Sequence, residues 1–159
     1  MCLILNFFAF FLLILGPANN EPDKKEFYQI VSSPDKSKVS AYLTRLEKSQ
    51  LKEKEAYQAT LLMKIAGLIK SPKEKLSLFK EGALKLDSII VQNKYNAEYR
   101  FLRLIIQENA PGILGYKRQI EEDRKILTSS FKSLDLAVQN AVLDYCKNSK
   151  VLRKEDFQK

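Results

Sequence analysis

The most directed chemistry in this chain sits at Arg100, Arg103 and Gln107. Spacings of three and four put these side chains in one helical stripe, about 60° wide at about 100° per residue. A guanidinium fork matches a carboxylate or a phosphate with paired N–H donors. Two forks among the apolar residues Phe101, Leu102, Leu104, Ile105 and Ile106 need anions, because a buried unpaired charge is very costly. Two arrangements meet that need. The stripe lines a groove that takes a carboxylate, a phosphate or an acidic peptide, or Asp87, Glu122 or Asp123 folds back onto it as an internal ion-pair network.

Little else in the composition supports catalysis. The 159 residues include no His, which removes Ser-His and Cys-His pairs, His-ligated zinc and imidazole pH switching. Two Cys make neither a disulfide framework nor a Cys-rich zinc site. Ser129 and Ser130 have no neighbouring base. Consecutive Glu121-Glu122-Asp123 point about 100° apart on a helix and do not converge on one ion. Glu121 is expected to pair with Lys125 four residues on. The chain reads as non-catalytic, with no cofactor and no metal.

The 27 Lys+Arg against 19 Asp+Glu leave a net charge of +8. The cations, Lys36, Lys48, Lys64, Lys80 and Lys132 among them, are spread along the chain and not interleaved with aromatics. That pattern argues against nucleic acid as a partner. A solvated basic surface fits it, as does attraction to an anionic lipid face or envelope polymer.

Met1–Leu15 is apolar except for Asn6, and small residues follow at Gly16 and Ala18. As a helix, Leu3–Leu15 spans roughly 20 Å, short of the ~30 Å hydrocarbon core. The segment is expected to be a signal peptide at 1–18, cut between Ala18 and Asn19, with a periplasmic or secreted product. An uncleaved anchor is the alternative, since the first cations, Lys24 and Lys25, follow the apolar run. After cleavage Cys146 is the remaining thiol, and its neighbours Val142 and Leu143 predict that it packs.

Helices must position these side chains. Apolar residues recur at i, i+3 and i+4 almost throughout, and no stretch alternates with a period of two. Behind a polar linker at 19–25, helices are predicted from about Lys24 to Ser33, Asp35 to Ser49 and Leu51 to Lys70. Ser71-Pro72-Lys73-Glu74 then reads as a capping box with Pro at the first helical position. The helix behind it turns Leu76, Phe79, Ala83, Leu86 and Ile90 inward. Asn96 caps a fifth helix, which Ala110-Pro111-Gly112 ends. A sixth is predicted from about Leu114 to Phe131, and a seventh behind a Ser133 cap. Short links imply antiparallel neighbours. The expected architecture is all-α, six to seven antiparallel helices stacked as hairpins in one domain at 26–152, with a charged tail at 153–159.

Leu76, Phe79, Gly82, Ala83 and Leu86, followed by a turn and Asn96-Ala97-Glu98-Tyr99-Arg100, resemble a tetratricopeptide-type hairpin over about one repeat unit. The closing Pro of that family is missing near Asp87. Glu98–Leu104 with Gln107–Pro111 is similar to a stretch of small uncharacterised exported helical proteins of bacteria. These resemblances imply a helical fold and export, and carry over no catalytic residue. Stacked hairpins leave a concave groove. The expected function is therefore an exported, non-catalytic module that binds a protein or peptide in the cell envelope through Arg100, Arg103 and Gln107. The alternative is a peripheral envelope module that holds anionic lipid or polymer on its basic surface.

Overall fold

The computed structural model describes residues 21–158, so the expected signal peptide at 1–18 lies outside the described residues. The fold is all-α. It comprises α1 (Lys24–Ser32), α2 (Lys36–Lys48), α3 (Lys54–Leu68), α4 (Pro72–Gln92), α5 (Ala97–Asn109), α6 (Ile120–Ser130) and α7 (Leu136–Tyr145), with three short 3-10 turns. Among the described residues there is no strand, and no helix is long and apolar enough to cross a membrane.

The helix starts follow local chemistry. Asp23 accepts from the Glu26 N–H at 2.7 Å, and Asp35 from Ser37 and Lys38 at 2.9 and 3.3 Å. Asn96 accepts from Tyr99 at 3.1 Å, and Ser71 from Glu74 at 3.5 Å with Pro72 next to it. Each bond satisfies one of the four orphan N–H groups of a helix start.

α3 and α4 form the closest pair, joined by a three-residue link and packed along their length. Gly82 makes this approach possible. A Cβ there would lie 2.6 Å from the Ala59 carbonyl oxygen and 2.8 Å from Met63 Cγ. α4 packs far more extensively on α3 than on α5. α5 runs through the interior, with Ala97 to Leu104, Ile106 and Gln107 all buried. α3 is also buried on more than the one face that Tyr57, Leu61 and Ile65 mark. Its small residues Ala56, Ala59, Thr60 and Ala66 let neighbours close over the rest.

Several boundaries differ from the pattern. The predicted sixth helix splits, because Gly115 adopts a left-handed φ of 61° and its N–H turns back to the Gly112 carbonyl at 3.0 Å. α6 starts only at Ile120. Ser133 does not cap α7; its hydroxyl donates to the Ser130 carbonyl at 2.7 Å inside a 3-10 turn, and Asp135 takes the cap position. Leu76, predicted to turn inward, faces outward and is 41% exposed. Lys24 and Lys25 belong to α1 and not to a linker. The tail is no loose appendage: Phe157 is buried against Phe131, with ring centroids 4.7 Å apart, and Leu152 is fully buried.

Candidate functional site

Three charged hubs anchor α5 to the rest of the fold. The first is the Arg stripe. Arg103 grips Asp123 with a two-pronged fork, Nε to Oδ2 at 2.8 Å and Nη2 to Oδ1 at 2.7 Å, and reaches Asp87 with Nη1 at 3.1 Å. Arg100 Nη1 donates to Asp123 at 3.0 Å and Glu122 at 2.9 Å, and its Nε to the Lys94 carbonyl at 2.9 Å. Tyr116 donates to Asp87 at 3.1 Å, so a cation and a phenol share that carboxylate. Both arginines are 5% exposed and Asp123 is fully buried. Burial opposes the charged form of Arg103, but Asp123 and Asp87 outweigh it and raise the guanidinium above its ordinary value. Gln107 donates to Gln119 at 2.9 Å, and its buried Oε1 has no partner among the described residues. The predicted stripe thus exists as a row on α5, but its two arginines face the protein's own acids and its Gln107 faces Gln119, and none of them a groove. All three acids named from the sequence take part.

The second hub is Glu98, at the start of α5 and 5% exposed. Lys24 reaches it at 2.7 Å, and also Glu53 at 3.0 Å and Asp135 at 2.5 Å. Tyr57 and Tyr28 donate their hydroxyls to the same Glu98 oxygen, Tyr28 at 3.2 Å. One carboxylate therefore collects α1, α3 and, through Lys24, the start of α7. Burial and the Glu98 charge push both phenols up. The third hub is Glu108. It accepts from the Tyr145 hydroxyl at 2.9 Å, the Ser149 hydroxyl at 2.7 Å and the Lys150 N–H, which clasps the C-terminal segment onto α5. Glu98 and Glu108 went unrecognised as hubs in the sequence because every partner of their carboxylates lies 37 or more residues away. Their only local signal is position, near the two ends of a helix buried on most of its circumference.

The pair expected within α6 is displaced by one residue. Glu121 meets Arg124 at 3.8 Å and not Lys125. Cys146 is half-buried, its thiol pushed up to about 11 by burial. Among the described residues no group of three or more Cys, Asp or Glu gathers as a metal site.

The open concavity lies elsewhere. A cleft of about 660 Å³ opens between α1, α5 and α7, with Lys64 of α3 at its side. Its floor is apolar: Tyr28, Val31, Phe101, Ile105, Ile106 and Ala141. Its rim carries the amides of Gln29, Asn109, Asn140 and Asn148, and the ammonium groups of Lys25 and Lys64. This is why Ala137, Ala141 and Tyr145 of α7 are only half-buried: they line the cleft. The volume lies in the ~300–1,000 Å³ range of ligand pockets. A second hollow of about 650 Å³ beside α6 has Arg124 on its wall, already held by Asp156 at 3.1 Å.

Comparisons with protein-family models, with curated proteins and with solved structures gave no match.

Proposed function

We propose that this chain is an exported, non-catalytic helical module that binds a protein or peptide in the cell envelope, and that the α1/α5/α7 cleft is where it binds. One observation carries the reading. The cleft pairs an apolar floor with exposed side-chain amides, whereas the arginine donors are spent on Asp123, Asp87 and Glu122. Apolar floors with a few placed polar groups are how small recognition sites combine affinity and orientation.

Selection of random displayed peptides on the exported chain tests it, followed by amide chemical-shift mapping of the peptides obtained. Shifts centred on α1, α5 and α7 that vanish in Ala141→Arg support the cleft. Peptides that map elsewhere, or a selection that yields none, overturn it. Export has its own test: mass spectrometry of the product is expected to find Asn19 at the N-terminus.

A second reading rests on the outer face of α4. Leu84 and Val91 are 73% and 70% exposed, and they share that face with Lys73 and Lys80 at spacings of seven and four. Such a face suits an anionic membrane surface. Sedimentation with phosphatidylglycerol vesicles that is abolished by Leu84→Ser with Val91→Ser favours this alternative.

A further inference from the structure

Lys64 is the exception among the enclosed cations of the described residues. Every other buried or half-buried Lys or Arg among the described residues has a partner. Lys24 has three acids, Arg100 and Arg103 share Asp123, Arg124 holds Asp156, and Arg45 forks onto Glu26. Lys54 donates to the Glu47 and Ser49 carbonyls, and Lys85 to Gln58. Lys64 is half-buried and makes no hydrogen bond or ion pair among the described residues. Burial alone acts on it, and lowers its ammonium below the ordinary value. A half-buried cation with no counter-charge is partly desolvated, and an anion that reaches it there interacts more strongly than at the open surface.

The anion must come with an apolar body and hydrogen-bonding groups. Lys64 opens onto the cleft floor of Phe101, Ile105 and Ile106. The side chains of Gln29, Asn140 and Asn148 make no hydrogen bond within the described residues, and Asn109 keeps its oxygen free while its Nδ2 meets Ile105 and Tyr145. A side-chain amide offers one acceptor and two donors, the complement of a peptide group. Four of them around one cleft match a chain of peptide units better than a lipid tail, which presents none. A lone ammonium is a point charge without the fork that favours phosphate. The rim's own acid, Asp144, is tied to Lys147 at 2.5 Å and leaves Lys64 free.

We infer that the cleft takes an extended peptide segment whose acidic side chain pairs with Lys64 while its backbone bonds to the rim amides. This rests on the cleft being the binding site. In an extended segment alternate side chains point to opposite sides, so apolar residues two apart reach the floor. The acidic residue between floor contacts turns to Lys64 on the wall.

The test uses the full exported chain and fluorescein-labelled decapeptides that alternate Leu or Val with Glu, against the same peptides with Gln or Lys in place of Glu. Fluorescence anisotropy is expected to show the Glu series binding roughly tenfold or more tighter than the Gln series, with the Lys series weakest. Lys64→Gln is expected to remove most of the Glu preference, leaving only the weak pull of the exposed Lys25 on the rim, with Gln-series affinity unchanged, and Lys64→Arg to restore it. About 0.3 M salt is expected to weaken the Glu series alone. Lys64 has no partner to lose, so Lys64→Gln does not lower the urea midpoint and the variant stays folded. Cleft-mapped peptides indifferent to the Glu-to-Gln exchange or to Lys64→Gln overturn this inference and leave the cleft reading standing. Failure of every series, together with an empty peptide selection, removes both. Glu-series binding that persists in Ala141→Arg also overturns the inference, by placing the acidic peptide outside the cleft.

Discussion

Arg103→Ala probes the internal network at its centre. It deletes three hydrogen bonds, two to Asp123 at 2.8 and 2.7 Å and one to Asp87 at 3.1 Å. The Asp87 side chain is 40% exposed, so water replaces what it loses, and that arm contributes only ~0–1 kcal/mol. Asp123 is different. It is fully buried and keeps a single side-chain partner, Arg100 at 3.0 Å. Removing one side of a buried pair costs about 3–5 kcal/mol, because the carboxylate stays out of water with one donor where it had three. At a urea slope of ~2 kcal/mol/M the midpoint falls by about 1.5–2.5 M. Urea titration followed by far-ultraviolet circular dichroism reads this directly. The double variant Arg103→Met with Asp123→Leu separates the two contributions. It buries no orphaned carboxylate, and Arg100 retains Glu122 and the Lys94 carbonyl. Much of the loss is expected to return. An Arg103→Ala midpoint within ~0.5 kcal/mol of the parent, with an unchanged slope, refutes the reasoning, for only an exposed pair behaves so.

Gly82→Ala should destabilise by ~1–3 kcal/mol although Ala is the better helix former by about 1 kcal/mol, since its Cβ meets the Ala59 carbonyl; a stabilised variant in urea would contradict the α3–α4 packing. Lys64→Met should raise the urea midpoint at neutral pH. The folded ammonium value lies below the unfolded one, so the parent's penalty is complete below the folded value and vanishes as pH passes the unfolded value of about 10.4; a gap that widens with pH reverses the sign and sinks the argument. Glu108→Ala should cost ~1–3 kcal/mol and speed tryptic cleavage after Lys147 and Lys150, leaving amide protection in α3 and α5 intact; unchanged cleavage would show the clasp is dispensable. Cys146, with its thiol pushed up to about 11, should alkylate at about pH 8 far more slowly than the same chain unfolded in urea.

The pattern of residues was enough for whatever depends on near neighbours. Caps at Ser71 and Asn96, Pro72 at a first turn and apolar spacing of three and four placed most helices, and the apolar girth of α5 announced its burial. Local reading failed where something other than apolar spacing decided the outcome: Gly115 breaking a helix through a left-handed φ, Ser133 bonding backward, and the small residues that let neighbours enclose α3. The candidate site was half legible. The Arg100 and Arg103 stripe and its three acids followed from spacing and from the cost of an unpaired charge, but whether the acids or a ligand met the arginines did not. Helical periodicity fixes which side of a helix is apolar, because burial is non-directional and needs no particular partner. Which charge meets which is set only when helices far apart in the chain come into register. Lys24 meets Glu98 across 74 positions and Tyr145 meets Glu108 across 37. The same packing leaves Lys64 alone on the wall of a cleft between the first, fifth and seventh helices, a fact that exists in no segment of the sequence and only in their assembly.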